Sequence, residues 1–235
     1  MDQFLKQLSD IKTNWSQIQI AGDQNTQNAA TARRSQLHRY AAPVYQYLLG
    51  CVKDEHVADD LAQEFAVRFL DGRYQTVDRD RGRFRDFLKR CLSNLATDHF
   101  RRISREQRRL QKLADADAAK TSDSPQFDTL WQQEMLAQTW DAFEQQEGAE
   151  SALYVVLRHR AENPDHSAAA IAAAVSRLHP SGTANEDWVR QNLHRARKSF
   201  SRVLRAEVAA TLTDPSATDI DEELRVLGLL KYCES

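Results

Sequence analysis

The sequence predicts an all-α protein of two small helical domains joined by a flexible linker. Seven glycines and five prolines in 235 residues leave few breaks, and the 28% of charged residues includes many helix formers. Apolar residues recur at three- and four-residue spacing through most of the chain. Residues 110–127, LQKLADADAAKTSDSPQF, instead gain Ala, Asp and Ser and run into SDSP, the composition of a linker. The length suits one large domain or two small ones, at roughly 100–200 residues each.

Taken in order, Phe4, Leu8, Ile11, Trp15 and Ile18 predict an amphipathic helix over residues 2–20, which needs a partner surface. The polar AGDQNTQNAAT (21–31) loosens it. Leu37, Tyr40, Ala41, Val44, Tyr45 and Leu48 predict a second helix to about residue 52, with Pro43 marking a kink or a start. A third runs from about 55 to 71. Leu61, Phe65 and Phe69 share its inner face, and Asp60, Gln63, Glu64, Val67 and Asp71 its outer one. After the turn-rich DGRYQTVDRDRG, a long helix begins near Arg83, with Phe84, Phe87, Leu88, Cys91, Leu92 and Leu95 inward. Arg90, Asn94, Thr97 and Arg101 form its outer stripe.

Past the linker, helices are expected over about 128–147 (Leu136, Trp140 and Phe143 inward) and 150–162 (Leu153, Val156 and Leu157 inward). Ser167 is placed to cap the alanine-rich SAAAIAAAVSRL, which lets a neighbour approach closely. After the turn HPSGTA, Asn185 caps a long helix that buries Val189, Leu193, Ala196, Phe200 and Leu204. Its outer residues include Arg190, Gln191, His194, Arg197, Lys198 and Ser201. A tight alanine helix, a glycine-containing turn and a basic helix have the form of a helix-turn-helix, although many helical hairpins read alike. A short helix with Leu224, Leu227 and Leu230 follows the linker TDPSA.

Composition excludes several classes. No apolar run approaches the roughly 18–20 residues of a membrane span, and MDQFLKQLSD lacks the layout of a secretory signal. A soluble cytoplasmic protein is the expectation. Cys51, Cys91 and Cys233 lie far apart, without CxxC pairing, so neither a zinc site nor a disulfide framework is expected. His38, His56, His99, His159, His166 and His179 show no metal-ligand spacing. No Gly-rich phosphate loop, or nucleophile beside a base, is present, so no catalytic residue, metal or cofactor is expected. The net charge of −2 conceals a strong local imbalance: from Arg68 to Lys112 there are 14 Arg and Lys against 6 Asp and Glu.

Three blocks, in order, resemble extracytoplasmic-function (ECF) type sigma factors of bacterial RNA polymerase. LHRYAAPVYQYLLGCVKDEHVADDLAQEFAVRFL is similar to the opening of that family's region 2, where VADDLAQEF stands for "DAEDLxQExF". GRFRDFLKRCLSNLATDHFRR resembles "FRxWLxxIAxNLAxDxxRR". WVRQNLHRARKSFSRVL resembles the end of region 4, "TVKSRLHRARKRL". TNWSQI and RGRFRDFL look closest to the branch common in planctomycetes. One segment departs: ENPDHSAAAIAAAVSRLHPSGTANED lacks the family's "LSYxEIAexLGIS" wording, and its turn is longer than usual.

The resemblance implies a region 2-like domain with the N-terminal helix over 1–109, a linker over 110–127, a region 4-like helix-turn-helix domain over 128–212, and a C-terminal linker and short helix over 213–235. It implies that Asp59, Asp60, Gln63, Glu64 and Val67 meet the clamp helices of the polymerase's largest subunit. A competing account, carboxylates favouring the helix dipole, explains Asp59 and Asp60 but not Glu64 or Asp71. It implies that Arg90, Asn94, Thr97, Arg101 and Arg102 engage the −10 element, with a flipped-base pocket in the loop 76–82. Asp98 is an internal partner for Arg101 or Arg102. It implies that Arg190, Gln191, His194 and Arg195 face the −35 groove, while Arg197 and Lys198 track phosphates; Trp188 is a packing residue. Expected partners are core polymerase and promoter DNA, and the family admits an anti-sigma or other regulatory protein. Two rival readings stand beside this one: a sigma-derived regulator that binds polymerase without promoter-specific initiation, and a helix-turn-helix repressor.

Overall fold

The computed structural model describes residues 37, 39–71, 83–110, 127–176, 184–212 and 215–233, the side chains of 108–110 excepted. The expected N-terminal helix, the loop 76–82, nearly all of the linker and all but the last residue of the turn 179–184 fall outside them. Every regular element among the described residues is helical: α1 Ala41–Val52, α2 Glu55–Leu70, α3 Phe84–Leu110, α4 Phe127–Glu147, α5 Ala152–Glu162, α6 Ala168–Val175, α7 Glu186–Ala209, α8 Ala217–Val226 and a 3₁₀ turn, Leu230–Tyr232. No helix among the described residues is long and apolar enough to cross a membrane. The chain divides into two compact units, Met1–Trp131 and Gln132–Ser235.

In the first unit, Pro43 is buried in the first turn of α1, where a missing N–H costs nothing, so it starts the helix and does not kink it. α1 and α2 are joined by two residues. Lys53 takes a left-handed conformation (φ 56°) and its N–H donates to Leu49 O at 2.7 Å, closing α1. Asp54 then caps α2, its Oδ1 accepting from Val57 N at 3.0 Å. The cap and Glu55 satisfy the N-terminus of α2, so Asp59 and Asp60 stand in its second turn. The helix-dipole account offered for those two belongs to Asp54 and Glu55.

Leu61, Phe65 and Phe69 are buried as the spacing predicts, along with Leu88, Cys91, Leu92 and Leu95 of α3. Phe65 and Phe69 stack at 5.7 Å, and Phe69 meets Phe84 edge-on at 6.1 Å. Phe127 and Trp131 also lie in this unit's core. Trp131 stacks on Tyr40 at 4.4 Å, and Phe127 meets Tyr47 edge-on at 5.5 Å. Asp128, between them, forms ion pairs with Arg85 (3.1 Å) and Lys89 (2.9 Å). Arg85 is only 4% exposed, so this member of the basic run is a core residue and not a solvated one.

In α4 the buried positions are Phe127, Trp131, Met135, Thr139 and Phe143; Leu136 and Trp140, expected inward, are only partly covered. A strict four-residue period gains about 40° per step on a helix of 3.6 residues per turn. The buried line therefore winds around α4 and leaves no single apolar face to read from the sequence. Thr139 lies in that line because its hydroxyl is satisfied by Met135 O at 2.6 Å.

In the second unit, Gly148 (φ 89°) ends α4, its N–H donating to Glu144 O. Ser151, Ser167 and Asn185 cap α5, α6 and α7 by accepting from the N–H three residues on, the latter two as expected. Phe143, Val156, Ile171, Val189, Leu193 and Phe200 form the core, with Trp188 packed at its edge. Ala184 N donates to Ser176 Oγ at 3.2 Å, drawing the start of the α7 segment back to the end of α6. α8 opens with a reciprocal cap between Ser216 and Asp219, and lies against α7.

Candidate nucleic-acid interface and its acidic counterpart

The outer face of α2 holds the five residues expected to bind protein. Asp60 is exposed, and Asp59, Gln63 and Glu64 are half-buried. Val67 is 45% exposed, an unusual position for a large apolar side chain among carboxylates. Asp59 Oδ1 is shielded from solvent with no hydrogen-bond partner among the described residues. Burial first, then the charges of Asp59 and Glu55, hold the Tyr45 hydroxyl above the ordinary tyrosine range. Glu64 is not a free acid: Arg68, one turn on, forms an ion pair with it. The i, i+4 spacing of Glu64 and Arg68 could have revealed that pairing in the sequence.

The outer face of α3 brings Arg90, Asn94, Thr97 and Arg101 together, all exposed except the half-buried Thr97. The Thr97 hydroxyl donates to Ser93 O at 2.8 Å, leaving its lone pairs outward. Arg101 pairs with Asp98 at 3.5 Å, the internal partnership expected of Asp98. Arg102 lies about 100° around the helix from Arg101, its Nη2 3.5 Å from His99 Nδ1. Burial lowers the His99 pKa, Arg102 lowers it further, and Glu64 opposes both. Arg105, also exposed, extends the stripe one turn beyond Arg101; the same four-residue step pointed to it. Beneath the stripe, burial pushes the Cys91 thiol up to about 11, against the pull of Arg90.

On α7 all six expected residues, Arg190, Gln191, His194, Arg195, Arg197 and Lys198, are exposed. Arg190 is engaged by its own helix, donating to Glu186 Oε2 at 2.6 Å and to Asp187 Oδ1 at 2.8 Å. The acids three and four residues before it carried that signal in the sequence. Behind them, Asn192 is buried and donates to Trp188 O at 2.8 Å, a structural role for a polar residue in the helix. His159 and His166, read as ordinary surface residues, lie close, with Nε2 and Nδ1 3.1 Å apart. Among the described residues no three His, Cys, Asp or Glu side chains gather as a metal site.

These faces present carboxylates around an apolar spot on α2, and rows of guanidinium and amide donors on α3 and α7. Residues 37–106 match the family model for sigma-70 region 2. The matched stretch holds α1, α2 and most of α3, and so both the acidic face and the first basic stripe; it stops short of α7. The match supports a sigma-70 family factor, a class whose region 2 binds RNA polymerase and melts promoter DNA. No curated protein and no solved structure matches the chain.

Proposed function

We propose that the chain is a cytoplasmic ECF-type sigma factor, which binds core RNA polymerase, recognises −10 and −35 promoter elements and helps open the duplex. The observation that carries this reading is the juxtaposition, inside the region 2 match, of an acidic face around exposed Val67 with a basic stripe on the next helix. In this reading Asp59, Asp60, Gln63, Glu64 and Val67 dock on the clamp helices of the largest subunit. Carboxylates on a rigid helix set the specificity and speed of that encounter, and Val67 gives it an apolar centre. Arg90, Asn94, Thr97, Arg101 and Arg102 hold the −10 strand, by charge on phosphates and by amide and hydroxyl groups on what lies between them. α6 and α7 act as a helix-turn-helix: Arg190, Gln191, His194 and Arg195 line the −35 groove, and Arg197 and Lys198 follow its phosphates.

One observation favours a second reading, a sigma-derived regulator that binds polymerase without promoter-specific initiation: Arg190 is already occupied by Glu186 and Asp187. Transcription with purified core polymerase on a pool of genomic templates, read by start site, separates the two. Defined start sites are expected. Polymerase binding with no promoter-specific transcript favours the regulator, and tight duplex binding with indifference to polymerase favours a repressor.

A further inference from the structure

The C-terminal helix has a partner. Leu224, Leu227 and Leu229 are buried, and Gln132 Nε2 donates to Leu227 O at 2.7 Å. Gly228 (φ 65°) turns the chain, so that Leu229 N reaches back to Leu224 O at 2.7 Å. α8 is thus anchored on the second unit and not tethered loosely to it. It carries Asp219, Asp221, Glu222 and Glu223 against a single base, Arg225. Asp221 meets Arg205 of α7 in an ion pair of 2.7 Å, with its Oδ1 shielded from solvent.

The position of Arg205 gives this contact its meaning. At 100° per residue, Arg205 lies within about 20° of both His194 and Lys198 around the axis of α7, and about 10 Å beyond Lys198 along it. Past Lys198 the cations of that side continue with Arg202 and then with Arg205. Arg202 is exposed, whereas Arg205, further along, is half-buried. The half-buried cation is the one that the acidic helix meets.

We infer that the C-terminal helix is a built-in competitor for the nucleic-acid face of α7: Asp221 withholds Arg205 from the phosphate-tracking row and sets carboxylates at its end. The inference rests on the proposed role of α7 in binding DNA. The anchoring leucines keep the carboxylate at high local concentration, so that a phosphate must displace a tethered rival and not a diffusing ion. Opening the Asp221–Arg205 pair, or removing the helix, exposes one further phosphate contact.

Truncation after Thr213 tests this coarsely, but it strips Leu224, Leu227 and Leu229 from the unit and can unfold it. The finer variant is Asp221→Asn in the full chain, with binding to a random-sequence duplex followed by fluorescence anisotropy across a salt series. Asp221→Asn is expected to bind roughly three- to tenfold tighter at low salt, and the slope of log K against log salt to steepen by about 0.9, the signature of one added phosphate contact. In the double variant Asp221→Asn with Arg205→Gln, that gain should vanish. Unchanged affinity and slope in Asp221→Asn, or a gain that survives loss of Arg205, overturns the inference. Lys198→Ala is the control for the underlying reading. If it weakens duplex binding while Asp221→Asn does nothing, α7 binds DNA and the competitor idea falls alone; if it too has no effect, both fall.

Discussion

The basic stripes of α3 and α7 look alike in sequence but differ in what holds their cations. On α3, Arg90 and Arg105 are exposed, and among the described residues Arg101 pairs with Asp98 at 3.5 Å. On α7 the row is bracketed. Arg190 is clamped by two carboxylates at 2.6 and 2.8 Å, and Arg205 by Asp221 at 2.7 Å. Exposed pairs of this kind are worth only about 0–1 kcal/mol each, so they add little to the fold. They do set what an incoming phosphate or base must displace. Among the described residues, α3 is the more open electrostatic face, whereas α7 is one whose ends are already answered.

The largest expected effect concerns the cores beneath the two stripes. Trp131→Ala removes a fully buried side chain stacked on Tyr40, and Phe200→Ala removes a ring packed on Trp140 at 4.8 Å and Phe143 at 5.6 Å. Each should cost about 3–5 kcal/mol in urea denaturation. If Trp131→Ala cost less than about 1 kcal/mol, the ordinary range of point substitutions, the segment 127–131 would not belong to the core under α3.

Next comes charge reversal on α2. Asp60→Arg with Glu64→Arg should weaken core-polymerase binding by at least about tenfold, or 1.4 kcal/mol, in a pull-down with the fold retained by circular dichroism. Unchanged binding would return the α2 acids to a solvated face. The variant also places like charge beside Arg68, the present partner of Glu64.

The third effect is the sharpest probe of the two stripes. Arg190→Ala should penalise particular −35 sequences by roughly 1–3 kcal/mol, and Lys198→Ala should weaken all sequences alike and flatten the salt dependence. Equal effects of both on every sequence would contradict the division of roles. Replacing Glu186 with Gln and Asp187 with Asn should raise duplex affinity more than Asp98→Asn does, since the α7 clamp is closer and double. The reverse order would erase the contrast between α3 and α7.

Much of this was legible in the sequence, because helical period and capping residues are local. Asp54 aside, the caps that matter here, Ser167 and Asn185, and the inward sets of α2 and α7 were legible; on α3, Leu88, Cys91, Leu92 and Leu95 are buried as expected, but Phe84 and Phe87 are only partly covered. What escaped had non-local causes. Arg85 reads as one more cation in a basic run, yet Asp128, far along the chain, draws it into the core. The winding line of α4 defeats any search for one apolar face. Leu224 and Leu227 had no visible partner in the sequence, because their partner surface exists only once α7 and Gln132 are in place. The expected site residues fall on shared faces, and three- and four-residue spacings carried the pairings of Glu64 with Arg68 and of Glu186 and Asp187 with Arg190, whereas the Asp221–Arg205 pair needed side-chain positions.

A smaller effect separates Cys91 from the outer surface of the stripe it underlies. With its thiol pKa at about 11, almost none is thiolate at neutral pH. Iodoacetamide near pH 8 should therefore modify Cys51 and Cys233, which are half-buried, before Cys91. Modification of Cys91 at the same rate would mean that the N-terminal half of α3 opens readily, and that its stripe is not held on a rigid helix.

The smallest effect concerns His99, which feels charges from both the acidic and the basic face of the first unit. His99 sits between Glu64 and Arg102, and burial, then Arg102, keep its pKa below the ordinary imidazole value while Glu64 pulls the other way. The unfolded chain therefore takes up this proton at a higher pH than the fold does, near 6.5. Its contribution to stability is complete above the unfolded value and is lost as pH falls through the folded one. In an NMR titration the midpoint should lie below that of free imidazole. Arg102→Ala should move it up and Glu64→Gln further down, two shifts of opposite sign on one ring. If Arg102→Ala leaves the midpoint in place, the 3.5 Å approach of Arg102 to His99 Nδ1 is not kept in solution. Arg102 would then swing free as a further open cation of α3, about 100° around the helix from Arg101, which widens its difference from α7.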